Sequence, residues 1–111
     1  MLLRDVLKSL FKKAVTSKYP FKKEKLPEAL RGKIKWDSEK CIRCLTCVRV
    51  CPTGACQFFK KNKNDRGKIV IDFSKCSFCY QCVTNCPVKA LIHTQEFELA
   101  TRDRTKLKSD S

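Results

Sequence analysis

The stretches CIRCLTCVRVCP, residues 41–52, and CSFCYQCVTNCP, residues 76–87, hold eight of the nine cysteines in this 111-residue chain. Both follow one pattern, C-x2-C-x2-C-x3-C-P, at an offset of 35 residues. Three thiols spaced two residues apart let one tight loop wrap a single face of an iron–sulfur cubane, whose iron takes soft thiolate ligands. The fourth cysteine of each run comes about one helical turn later, displaced by roughly 6 Å along a helix axis, which suits it to reach a different cluster. Pro52 and Pro87 follow directly and, lacking an N–H, end the local turn and steer the chain away.

Two such runs predict two [4Fe-4S] clusters. In two-cluster bacterial ferredoxins, which this spacing resembles, the fourth cysteine ligates the other cluster. That rule gives Cys41, Cys44, Cys47 and Cys86 to the first cluster and Cys76, Cys79, Cys82 and Cys51 to the second, so neither half completes its cluster alone. Structural zinc usually takes well-separated C-x2-C pairs, and three thiolates in one short loop are an awkward start for a tetrahedron. A secreted disulfide scaffold calls for an export signal and an even cysteine count, and the sequence offers neither. A thioredoxin-like redox pair needs one C-x-x-C rather than four overlapping ones.

With 32% charged and 9% aromatic residues, little is left for a large apolar core, so the clusters must act as the core. Folding is then coupled to cluster insertion, because the unfolded chain holds no preformed site. The formal charge of +14 stays strongly positive after two oxidised cubanes and their thiolates contribute about −4. A basic surface fits acidic partner subunits, an acidic electron donor or anionic lipid headgroups. No recognition motif for nucleic acid accompanies the charge, so nucleic acid is not an expected partner. A solvated lysine-rich surface is the plain alternative.

Residues 1–16 place Leu2, Leu3, Val6, Leu7, Leu10, Phe11, Ala14 and Val15 between charged side chains, which predicts an amphipathic helix. It is too short and too charged to span a bilayer or to serve as a signal h-region. It suits a membrane interface or a groove of a membrane subunit, and the plain alternative is packing onto its own domain. SKYPFKKEKLPEALRGK, residues 17–33, is rich in proline and lysine and reads as an extended connector.

From Ile34 the 35-residue repeat extends beyond the cysteines. Ile34 matches Ile69, Trp36 matches Ile71, Asp37 matches Asp72, Lys40 matches Lys75, Val48 matches Val83 and Ala55 matches Ala90. The expected fold is therefore α+β: a pseudo-twofold two-cluster bacterial-ferredoxin domain over residues 34–96, each half being strand, cluster loop, short helix and return strand. The amphipathic helix and connector (1–33) precede it, and a polar C-terminal extension (97–111), its last residues disordered, follows. QFFKKNKNDRGKIVIDF, residues 57–73, reads as strand, turn near Asn62–Gly67, and strand. Cys56 matches Leu91 of the other half and reads as a small buried hydrophobe. Trp36 and Ile71 read as core residues shielding a cluster. Lys40, Arg43 and Lys75 flank the loops, where positive charge favours the reduced cluster; the alternative is solvated charge of little effect. His93, the single histidine, has no partner motif. No glycine-rich phosphate loop and no acid/base pair is present, so substrate chemistry on this chain is not expected.

Taken together the residues resemble the two-cluster ferredoxin-like subunit of respiratory complex I and of related membrane-bound [NiFe] hydrogenases. The resemblance rests on the N-terminal helix, VTSKYP (15–20), LRGKI (30–34), IDFSKC (71–76) and EFELATRDR (96–104), and spans roughly Leu7 to Arg104. In length the chain is closer to the compact versions of archaeal-type hydrogenase and sulfur-reducing complexes. Leu45 and Tyr80 stand after the second cysteine of each run, where many ferredoxins have glycine, a departure expected to alter cluster exposure without removing a ligand. The resemblance implies relay of single electrons between subunits of a membrane-associated oxidoreductase, peripheral on the cytoplasmic face of the membrane. Its implied partners are hydrogenase-like large and small subunits and a membrane subunit; charge adds an acidic soluble ferredoxin as a candidate donor. A free-standing soluble two-cluster ferredoxin is the alternative, and a zinc-stabilised basic module that binds nucleic acid is a third.

Overall fold

The computed structural model describes residues 2–109, and its elements run α1 (Leu2–Leu10), β1 (Ile34–Trp36), α2 (Thr46–Val50), β2 (Cys56–Phe59), β3 (Lys68–Ile71), α3 (Gln81–Thr84), β4 (Leu91–His93) and a 3-10 turn at Arg104–Leu107. This is a small α+β molecule with two antiparallel two-stranded sheets, β1 with β4 and β2 with β3. The outer pair joins the first strand of the domain to the last, Ile34 opposite His93 and Trp36 opposite Leu91. The inner pair is a hairpin, Cys56 opposite Ile71 and Phe59 opposite Lys68. Each strand from one cysteine run is thus bonded to a strand from the other, and the two runs cannot fold as separate units.

Alternation explains β1, where Ile34 is buried, Lys35 exposed and Trp36 half-buried. In β3, by contrast, Ile69 and Ile71 belong to the core and Val70 between them is buried as well, while the C-terminal extension covers the free edge of the strand. Phe73 N–H donates to the Leu107 carbonyl at 2.8 Å and Ser109 N–H to the Ile71 carbonyl at 2.9 Å, while the Ser109 hydroxyl accepts from Ile71 N–H at 3.2 Å. The tail therefore remains ordered to Ser109, further than its polar composition suggests. Residues 110 and 111, the rest of the segment expected to be disordered, lie outside the described residues, as does Met1 of the N-terminal helix.

The core is small: Ile34, Cys56, Ile69, Ile71, Phe73, Tyr80, Cys82 and Leu91 form one buried cluster, with residues of both cysteine runs packed at its edge, among them Cys41, Leu45, Cys47, Cys51, Cys76 and Phe78. Apolar burial on this scale stabilises weakly. The helix α1 adds nothing to it, since none of its residues is buried. It also ends at Leu10, shorter than the 16 residues its pattern suggests. With no surface to receive the stripe, the helix lacks the tertiary packing that sustains most protein helices, and Phe11, Val15 and Thr16 are weak continuers without it.

The connector is held at two places. The Tyr19 hydroxyl donates to Glu98 Oε1 at 2.6 Å, Lys23 Nζ lies 2.9 Å from the same oxygen, and the Tyr19 and Phe97 rings are 6.0 Å apart. Further on, Gly32 N–H donates to the Thr94 carbonyl at 3.1 Å and Lys33 N–H to that of Glu96 at 2.7 Å, prolonging the β1–β4 ladder. A Cβ on Gly32 would collide with the Thr94 carbonyl oxygen and stand 2.6 Å from that of Glu96, so only glycine permits this approach.

Candidate metal centre

An aspartate opens each cysteine loop. Asp37 N–H donates to the Ala90 carbonyl at 2.8 Å and Asp72 N–H to that of Ala55 at 2.9 Å, which fixes each aspartate at the end of its strand. Asp37 Oδ1 then accepts from Glu39 N–H at 3.0 Å and, more loosely, from Lys40 N–H; Asp72 Oδ1 accepts from Ser74 N–H at 3.0 Å and from its hydroxyl at 2.5 Å. Such side-chain-to-backbone turns reverse the chain and deliver Cys41 and Cys76 at the loop entrance. The Ser74 hydroxyl, working against burial, holds the Asp72 carboxyl below the usual carboxylate range.

Within the loops the backbone turns left-handed at matching positions. Arg43 and Phe78 have φ of 59° and 53°, Leu45 and Tyr80 59° and 64°, and after the fourth cysteine Gly54 and Lys89 63° and 50°. For residues other than glycine this region costs roughly 1–2 kcal/mol each. Leu45 and Tyr80 immediately precede α2 and α3 and accept the first helical N–H bonds. A left-handed residue beside a right-handed one is the backbone form that gathers N–H groups into a concavity for anions.

The cysteines fall into two sets. Cys41, Cys44 and Cys47 of the first run share one cavity with Cys86 of the second, closed by Trp36, Leu45, Ile69 and Leu91. Around Cys76, burial pushes the thiol pKa up, and Cys82, Cys51 of the first run and Cys79 push in the same direction; Cys82 acts on Cys47 as well. Burial likewise drives Cys47 up to about 11. Among the described residues no three His, Cys, Asp or Glu side chains are grouped closely enough to hold a metal ion; the four thiols of the first set border a volume instead.

The sulfurs are met by donors. Ala55 N–H reaches Cys51 Sγ and Ala90 N–H reaches Cys86 Sγ, both at 3.3 Å, and Phe78 N–H reaches Cys76 Sγ at 3.4 Å. The Thr53 hydroxyl lies 3.6 Å from Cys51 Sγ. Burial would raise the Cys51 thiol, yet the N–H groups of Cys56, Ala55 and Thr53 with that hydroxyl hold it below the ordinary value. The Thr46 hydroxyl and N–H do the same for Cys44. These two threonines went unread in the sequence, although each stands two residues after a cysteine, the spacing at which a hydroxyl can return to its sulfur.

Cys56 is buried at 3% exposure in β2, on the side of Cys82. The Cys82 sulfur takes a hydrogen bond from it, so Cys56 holds its proton tightly while Cys82 is eased down to about 7. It is a packed thiol at the edge of the second set. Of the three cations flagged by the sequence, Lys40 is exposed and paired with Asp37 at 3.6 Å, Lys75 is exposed, and Arg43 is half-buried with Nη1 donating to the Cys41 carbonyl at 3.1 Å. Arg31, which the sequence did not single out, lies over the Tyr80 ring at 5.6 Å with Nη1 3.4 Å from the Cys79 carbonyl. Tyr80 is itself buried and donates its hydroxyl to the Gly32 carbonyl, so this non-glycine residue ties the second loop to the connector. His93 meets the Tyr80 ring edge-on at 6.0 Å.

Paired cysteine loops of this form in a small α+β fold are those of a ferredoxin-like iron–sulfur protein, and residues 40–90 match the 4Fe-4S dicluster domain family. NADH-quinone oxidoreductase subunit I of Carboxydothermus hydrogenoformans is 49% identical over 102 residues, covering 88% of this chain and 73% of that protein. NAD(P)H-quinone oxidoreductase subunit I of Leptolyngbya boryana is 44% identical over 105 residues, covering 90% of this chain and 54% of that protein. The chain belongs to the NADH-quinone oxidoreductase subunit I family. Among solved structures it is similar to a chain in the membrane-bound sulfane sulfur reductase (MBS), an archaeal respiratory membrane complex, with a TM-score of 0.73 and 33% identity over 91% of this chain and 55% of that one. It spans about half the length of several relatives it matches.

Proposed function

We propose that this chain relays single electrons through two [4Fe-4S] clusters inside a membrane-associated oxidoreductase complex. The observation that carries the reading is the cavity that Cys86 of the second run shares with Cys41, Cys44 and Cys47 of the first; the influence of Cys51 on the Cys76 thiol supports the reciprocal arrangement. Each iron of a cubane takes one protein thiolate, so ligands border a volume, as the first set does, where zinc would draw four sulfurs onto a point. The ligands are accordingly Cys41, Cys44, Cys47 and Cys86 for the first cluster and Cys76, Cys79, Cys82 and Cys51 for the second. Cys56 is not a ligand. The paired left-handed residues, the paired aspartates and the two Ala N–H to Sγ bonds support a pseudo-twofold domain.

The clusters supply one-electron chemistry; the chain supplies position, water exclusion and hydrogen bonds to sulfur that set their potentials. The helix α1 is the docking element. Its Leu2, Leu3, Val6, Leu7 and Leu10 are all exposed, and no helix among the described residues is long and apolar enough to cross a membrane. We assign the chain to the cytoplasmic face, beside a membrane subunit and hydrogenase-like large and small subunits, with an acidic ferredoxin as a candidate donor to its basic surface.

Rapid-freeze EPR of the intact complex tests this. Both clusters should be reduced by the electron donor and reoxidised by the acceptor at least as fast as the complex turns over. A cluster slower than turnover is not on the path.

A further inference from the structure

We propose that the indole N–H of Trp36 donates a hydrogen bond to a sulfur of the first cluster, which makes this residue a selective tuner of that cluster's potential. The inference rests on the ligand reading above. Trp36 Nε1 is buried and has no hydrogen-bond partner, and a buried N–H left without an acceptor is rare in folded proteins and destabilising. Trp36 belongs to the wall of the cavity that holds Cys41, Cys44, Cys47 and Cys86. Few side chains in that wall could serve it. Its aliphatic members accept nothing and the Arg43 guanidinium only donates, while the Thr46 hydroxyl donates to Cys44 and keeps its own lone pairs. Sulfur is the acceptor in greatest supply in this wall, and cluster sulfur carries the negative charge that an N–H donor seeks.

Strand geometry places the residue for this. Ile34 and Trp36 lie on the same face of β1, with Ile34 in the core at 1% exposure, and Trp36 is paired with Leu91, another wall residue of the cavity. The repeat equivalent of Trp36 is Ile71, fully buried and without a donor. The bond is therefore one-sided, acting on the first cluster alone. A donor to sulfur stabilises the more negative, reduced state and raises the potential.

Because the chain has a single tryptophan, indole-15N labelling reports on Trp36 only. The cluster-loaded full chain, labelled in this way and reduced, should show a 15N hyperfine coupling by pulsed EPR, lost in Trp36→Phe. In a potentiometric titration Trp36→Phe should lower the reduction equilibrium of one cluster about tenfold, or about 59 mV for a one-electron couple, and leave the other in place. Two [4Fe-4S] signals without 15N coupling in the labelled wild type overturn the proposal, even if Trp36→Phe fails to load. So does an equal shift of both clusters. An iron content well below about eight per chain would instead overturn the ligand reading.

Discussion

At the scale of the residue, the site is built by positions that have paired roles in the two runs. The sequence made the cysteines and the repeat pairing of Asp37 with Asp72 legible, while the crossing of ligands between the runs is a proposal that rests on the two-cluster ferredoxin rule. The left-handed backbone was not read from the sequence, and of these loop positions Gly54 alone is of the residue type that favours it. Arg43, Leu45, Phe78, Tyr80 and Lys89 adopt the same conformation with side chains that give no signal of it, since the sulfur-binding loop, not local preference, imposes it. Cys56→Ala should retain about eight irons per chain, whereas Cys51→Ala should lose the second cluster; iron and sulfide analysis after anaerobic purification distinguishes them. Gly32→Ala should destabilise the loaded protein by roughly 1–3 kcal/mol through collision with the 94–96 backbone, measured as a fall in chemical-denaturation midpoint. An unchanged midpoint would mean that the connector does not approach β4 as closely as described.

At the scale of the element, the hairpin and its turn were legible from two apolar, β-branched or aromatic runs either side of the polar Asn62–Gly67 segment, while the two ends of the chain were not. The extent of α1 was over-read, because periodicity reports a face and not whether anything covers it. The tail was under-read, because its three backbone and side-chain bonds to β3 depend on a free strand edge that composition does not reveal. Deleting residues 2–15 should leave cluster loading and thermal stability unchanged, since α1 buries nothing, and should release the protein from membranes. Retention in the membrane fraction would remove α1 as the docking element. Truncation after Thr101 should cost about 2 kcal/mol in stability and expose the Ile71 and Phe73 amides to hydrogen exchange, with other β2–β3 amides less affected.

At the scale of the whole molecule, the longest dimension is 72 Å and the radius of gyration 20.3 Å, against about 13 Å for a compact domain of this size. The excess reflects an arm, α1 and its connector, carried away from a small cluster-bearing body. The body's apolar core is too small to hold it together alone, and each sheet pairs a strand of one half with a strand of the other, so removal of iron should unfold both halves in one transition by circular dichroism. Loss of one half's structure with the other intact would mean that the halves are independent. A chain with a cluster-dependent body, a basic surface of +14 formal charge and an unpartnered apolar arm is suited to a place between subunits. The central claim is therefore best tested by anaerobic purification of the native protein from gently solubilised membranes, with mass spectrometry of whatever remains bound. Stoichiometric recovery with the large, small and membrane subunits of one oxidoreductase complex is the expected result; recovery as a free, brown, soluble monomer would contradict it.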